Sequence, residues 1–169
     1  MKRKLFIFNI ILALAFTVSL SVFQTACEAE SSCENSDTIY GIIDTVYDLG
    51  NCYQYMRDTS YVISDIVEFK KLKNEIDSAF YAQNSQCDTA QLIVPDFTKY
   101  SLLAYFTEVK ACDAAYKRTV LNESALHKYI YTIEIEACGN CTYMIPNMNW
   151  VLVPKLPENY TVEYKVLRK

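Results

Sequence analysis

Lys128-Tyr129-Ile130-Tyr131-Thr132-Ile133-Glu134-Ile135-Glu136-Ala137 decides the fold class. Tyr129, Tyr131, Ile133 and Ile135 fall on one side of a period of two, and Thr132, Glu134 and Glu136 fall on the other. Only an extended strand sorts residues that way, with one face on a core and one in water. Clean alternation of this kind belongs to antiparallel sheets. The segment ends in Cys138-Gly139-Asn140-Cys141, which has the residues of a turn.

The chain on either side continues the pattern. Ser101 to Lys110 is strongly apolar, Tyr116 to Leu121 alternates, and Asn122-Glu123-Ser124 supplies a turn between that strand and the next. Trp150 to Val153 is a short apolar strand stopped by Pro154 and Pro157. Tyr160 to Leu167 closes the domain with Tyr160, Val162, Tyr164 and Val166 on the buried side. Upstream, Thr38 to Leu49 and Cys52 to Val62 are expected to be extended. Ser64 to Ile76 is the one helix: Asp65 and Glu68 have capping-box spacing, and Ile66, Phe69, Leu72 and Ile76 form one apolar stripe. A loop is expected from Asp77 to Thr98. The resulting class is α+β, a mostly antiparallel meander with one packed helix, as a single domain over residues 38–169. The composition agrees, with 14 Tyr and only 3 Gly and 4 Pro, a balance that favours strands over disorder.

The opposite end of the chain sets the compartment. Lys2, Arg3 and Lys4 precede an apolar run from Leu5 to Phe23 that closes in Gln24-Thr25-Ala26-Cys27. A charged start, an apolar middle and small residues at the exit make residues 1–26 an export signal. Asn9, Thr17, Ser19 and Ser21 dilute the run, which argues against a retained membrane helix. The signal resembles that of bacterial lipoproteins, in which the cysteine after a small residue is acylated and becomes the mature N-terminus. The resemblance implies a lipid of the palmitate class on Cys27 and a cell-envelope location, and the short, acidic, polar stretch from Glu28 to Asp37 makes residues 27–37 a flexible tether. That location is an outer-membrane lipoprotein facing the periplasm or the cell surface. Gln24 departs from the aliphatic residue usual at that place, and plain secretion is the alternative.

Removing Lys2, Arg3 and Lys4 from 16 basic residues leaves 13 against 20 acidic ones, a formal charge of −7. Such a surface repels phosphate backbones, which sets nucleic acid aside as a partner. Seven cysteines are an odd number. With Cys27 acylated, Cys33, Cys52, Cys87, Cys112, Cys138 and Cys141 are left to form disulfides in an oxidising compartment, in a pairing that the sequence does not choose.

No signature of catalysis stands out. Cys138 and Cys141 have the spacing of a redox dithiol or half a zinc site. They follow a strand rather than open a helix, which favours ordinary disulfide cysteines at a turn. His127 is the only histidine, and it lies beside a turn. Carboxylate pairs occur at Asp44/Asp48 and Glu134/Glu136; the second falls on the outward face of a strand and is read as a solubilising face, with a glycosidase-type acid pair as the alternative. No metal or cofactor is implied. Four Asp-Ser/Thr-aliphatic or Asp-Ser/Thr-Ala tripeptides, at Thr38, Thr45, Ser78 and Thr89, look like the O-glycosylation acceptors of exported Bacteroidetes proteins.

Two further stretches carry a resemblance. They are Asp96-Phe97-Thr98-Lys99-Tyr100 leading into Leu102-Leu103-Ala104, and Trp150-Val151-Leu152-Val153-Pro154-Lys155-Leu156-Pro157 before Tyr160-Thr161-Val162. They resemble a group of small uncharacterised Bacteroidetes lipoproteins. From Val62 to Val166 the arrangement is similar to the C-terminal domain of a bacterial protease-complex-stabilising protein (PrcB-type). Asp113-Ala114-Ala115-Tyr116 stands where that domain has a Gly-Gly-Tyr turn. The resemblance implies contact with another envelope or extracellular protein, a protease among them, without catalysis, and it assigns no functional residue. The alternatives are an envelope thiol oxidoreductase using Cys138 and Cys141, or a glycan-binding surface module using exposed tyrosines.

Overall fold

Strands that are apolar on both faces organise the molecule. The computed structural model describes residues 32–34, 36–49, 52, 59–83, 89 and 92–169, the side chains of 79–83 apart. In chain order the elements are β1 (Thr38–Gly41), β2 (Thr45–Val46), β3 (Ser60–Ile63), α1 (Ile66–Gln83), β4 (Tyr100–Lys110) and β5 (Asp113–Glu123). A 3₁₀ turn (Ser124–Leu126), β6 (Lys128–Cys138), β7 (Met144–Pro154) and β8 (Thr161–Arg168) follow. β4 and β7 pair antiparallel along their full lengths, from Tyr100 opposite Pro154 to Lys110 opposite Met144.

Leu102, Ala104, Met148, Trp150 and Leu152 project to one side of this pair and pack with Phe69, Leu72 and Ile76 of α1. Leu103, Val109, Val151 and Val153 project to the other side and pack with Tyr129, Tyr131, Ile133 and Ile135 of β6. A strand covered on both faces has no water-facing side to mark with polar residues, so it appears as a continuous apolar run. That accounts for Ser101 to Ala104 and Trp150 to Val153. The result is three layers: helix, then sheet β2-β7-β4-β3, then sheet β1-β5-β6-β8.

The β-rich body with one helix matches the expected class, but the meander does not. β5 and β6 form an antiparallel hairpin, whereas β1 runs parallel to β5 and β8 runs parallel to β6. The reason lies in β7. With both faces apolar it belongs in the middle layer, so the chain leaves β6 for the other sheet and returns beside β6 in the parallel sense. Gly41 marks the matching crossover at the N-terminal side. Its φ is +76°, and a Cβ there would lie 2.0 Å from the Val120 carbonyl oxygen, so only glycine fits.

Two boundaries differ from expectation. The helix continues to Gln83 instead of ending at Ile76, because no glycine or proline interrupts it before Pro95. β7 begins at Met144 and passes through Pro146, where β2, which pairs only with Val151 and Leu152, gives β7 no partner on that side. At the helix start Asp65 Oδ1 accepts the N–H groups of Val67 and Glu68 at 2.7 and 2.8 Å. The Glu68 carboxylate accepts from the Ser64 N–H rather than from that of Asp65, one residue earlier than the box spacing implies. Ile66, placed on the stripe by its spacing, is instead 40% exposed.

Candidate functional site

One end of the sandwich gathers most of the described cysteines. Cys33 is bonded to Cys138 and Cys112 to Cys141, with Cα separations of 5.3 and 4.6 Å. The N-terminal segment, the β4–β5 turn and the β6–β7 loop are therefore clamped to one another. Backbone polar groups reinforce the clamp: Cys112 N–H donates to the Cys138 carbonyl at 2.8 Å, and Cys33 N–H donates to Asp113 Oδ2 at 2.9 Å. Those donors, Cys33 first and then Ala114, hold the Asp113 carboxyl below its ordinary pKa. Gly139, with φ at +73°, makes the turn between the two cysteines of the Cys-x-x-Cys motif. The Tyr143 hydroxyl donates to the Cys112 carbonyl, which fixes a ring that is 55% exposed.

Cys138 and Cys141 thus serve separate bridges and do not form a dithiol with each other. Cys52 is buried and also disulfide-bonded. With the other four described cysteines taken, Cys27 and Cys87 are the cysteines left for it, and both lie outside the described residues.

A second cluster sits between the sheets, and the sequence reading missed it. Arg118 is 3% exposed on the inward face of β5, between Tyr116 and Val120. Its Nε donates to Asn149 Oδ1 at 3.1 Å and its Nη1 to Asp37 Oδ2 at 2.8 Å, and its guanidinium lies 5.0 Å from the centre of the Tyr116 ring. Asn149 in turn donates to Thr107 Oγ1 and the Tyr105 carbonyl, and the Tyr131 hydroxyl donates to the Asn149 carbonyl. A cleft of about 290 Å³ opens beside Arg118, lined by Val46, Tyr47, Asp48, Asn147 and Trp150. The signal was present as a charged residue at an inward position of an alternating strand.

Asp37 also accepts the Tyr116 N–H at 2.9 Å. Cys33 and Asp37, expected in a flexible tether, are therefore fastened to the domain, which forms one unit from Ser32 to Lys169. Asp37→Ala is expected to cost about 1–2 kcal/mol in denaturant unfolding, because Arg118 would keep a buried charge that water reaches only through the half-exposed Asp37 position.

Compared with protein-family models, curated proteins and solved structures, the chain matches none of them. His127 is exposed, adopts a left-handed conformation with φ at +49°, and its ring lies tilted against that of Tyr160 with centres 5.5 Å apart. Glu134 is held between Lys117 and Lys169 at 2.8 and 2.9 Å, and Glu163 between Lys128 and Lys165. These hydrogen bonds, Lys117 and Lys128 first, draw both carboxyls below their ordinary pKa, as befits a paired charged face. Asp44 and Asp48 are exposed on the β2 edge. Thr38 is half-buried in β1, while Thr45 and Ser78 are exposed. Thr89 is buried and its hydroxyl donates to Asp77, which closes it to an enzyme acting on the folded protein. Among the described residues no helix is long and apolar enough to cross a membrane; Leu5 to Phe23 lies outside them.

Tyrosines carry much of the inter-sheet packing. Tyr131 and Tyr129 are buried, Tyr105 stacks on Tyr164 at 4.9 Å, and the Tyr164 hydroxyl donates to the Tyr61 carbonyl. Burial pushes Tyr47 up to about 12 and raises Tyr131 and Tyr164 further. Unfolded tyrosines ionise near 10, so the stability these groups confer is complete below pH 10 and is lost as pH rises above it. The expected result is that their phenolate absorbance emerges together with loss of the fold. A smooth titration of all tyrosines in folded protein would contradict this packing.

Proposed function

We propose that the chain is a non-catalytic envelope lipoprotein, acylated at Cys27, whose domain binds another envelope protein. The observation that carries the reading is the polarity of the domain along its strands. The N-terminal segment is stapled at the end marked by Cys33 and Cys138. β5 and β6, paired antiparallel, each extend eleven residues between it and the opposite end, a rise of about 35 Å. At the far end lie Leu126 in the 3₁₀ turn and Val67 in the first turn of α1, 61% and 72% exposed. The α1 start is held there by the contact of Ser64 with Ser101 at the beginning of β4.

An anchored body of this shape presents its far end to a partner, and exposed apolar side chains are what a recognition surface uses. The PrcB-type resemblance makes a protease complex the first partner class to test. Acylation of Cys27 also leaves Cys87 as the partner of Cys52. The test is site-specific photo-crosslinking in native membranes from positions 67 and 126, compared with position 143 at the clamped end. The reading expects one discrete envelope protein captured from the far end and lost in Val67→Glu with Leu126→Glu. Capture from position 143 alone, or none from either end, would reject it.

A further inference from the structure

We infer that the clamped end is a lipid-contact surface, in which Tyr143 and Met144 rest in the interfacial region of the membrane that holds the anchor. The inference depends on acylation of Cys27 and adds to it a defined face of the domain. Cys33 is covalently fixed to Cys138, and it lies six positions after Cys27. A fully extended chain of that length reaches about 20 Å. The Cys33 end therefore stays within that distance of the acylated residue whatever path the tether takes, while the Leu126 end lies about 35 Å further along the strands.

The side chains at the near end suit that neighbourhood. Tyr143 is 55% exposed and Met144 47% exposed, where the loop fixed by two disulfides and by the Tyr143 hydroxyl bond to the Cys112 carbonyl enters β7. A ring with one polar tip is the side chain that settles at a headgroup boundary. Lys110 is exposed directly across the strand from Met144. Arg168 also ends at this side, where β8 runs out beside Ile135, whereas Lys169 is held by Glu134. Long basic side chains lay their stems on apolar surface and carry their charge to headgroups.

Glu34, Glu108, Asp113 and Glu136 share the same end. Asp113 is already occupied by the Cys33 and Ala114 N–H groups, and Glu136 has a partner of its own. The charge there is mixed, so the contact rests on the two apolar side chains. Two such side chains would not recruit a free protein. They suffice for one already tethered, whose local concentration at the surface is on the order of millimolar.

The test places tryptophan as a depth probe. Full-length acylated protein carrying Tyr143→Trp, Met144→Trp or Leu126→Trp is reconstituted into phosphatidylethanolamine/phosphatidylglycerol vesicles whose acyl chains bear bromine. Trp150, 2% exposed, supplies a constant background. Tryptophan at 143 or 144 is expected to lose roughly half of its emission, and tryptophan at 126 none. The Met144 variant keeps the Tyr143 hydroxyl bond, so a local disturbance of Tyr143→Trp does not decide the result. Vesicle-bound protein quenched equally at both ends, or at neither, overturns the lipid contact and leaves the anchor standing. Protein that fails to float with the vesicles overturns both.

Discussion

Serine in place of Cys33 and Cys138 is expected to lower the unfolding free energy by about 4–5 kcal/mol, the largest loss from any single bridge described here. The bridge spans 105 residues, against 29 for Cys112–Cys141, and the freedom that a cross-link removes from the unfolded chain grows with the loop it closes. The shorter bridge is expected to contribute about 3–4 kcal/mol on the same reasoning. A second signature separates this mechanism from lost packing. Removing a cross-link lets the unfolded chain expand, so the denaturant slope should rise as the midpoint falls. Non-reducing urea unfolding reads both quantities. A midpoint unmoved in the Cys33/Cys138 variant would mean that Asp37 and β1 alone hold the N-terminal segment.

The other large effect is expected at Trp150. Trp150→Ala should cost about 3–5 kcal/mol with an unchanged denaturant slope. The residue is 2% exposed in the middle layer, faces Phe69 and Leu72 of α1, and stacks on Tyr61 with ring centres 5.5 Å apart. Its loss would open a cavity between helix and sheet that neither layer can close without moving the other. Its Nε1 has no hydrogen-bond partner among the described residues. Trp150→Phe should cost less than Trp150→Ala, since it removes less volume and no hydrogen bond. If Phe and Ala cost the same, the indole N–H would be what matters there.

How much of this was legible beforehand follows from what each residue reports. β6 was plain in the alternation of Tyr129 to Ile135, because one side of it is core and the other is water. Phe69, Leu72 and Ile76 gave the helix stripe for the same reason. β4 and β7 were visible as apolar, but a run buried on both sides carries no sign of which sheet it joins. The parallel pairing of β6 with β8 was therefore hidden. The full length of β7 was masked by Pro146, which usually ends a strand and here sits where no neighbour needs its N–H.

Arg118 went unnoticed because a charged residue on an alternating strand is ordinarily placed in water. Only the positions of Asp37 and Asn149, distant in sequence, show what neutralises it. The cysteines were legible as disulfide formers but not as pairs. Cys138 and Cys141, neighbours in the chain, bond to Cys33 and Cys112, because the turn between them lies where the N-terminal segment and the β4–β5 turn meet.

Intact mass of the mature protein purified from its own membranes, before and after reduction, tests the central claim most directly. The account predicts a chain that starts at Cys27 with fatty acid attached and takes up six hydrogens on reduction, as six of its seven cysteines are then paired. A chain that keeps Met1, bears no lipid and gains no mass on reduction would contradict the export, the anchor and the stapled body at once.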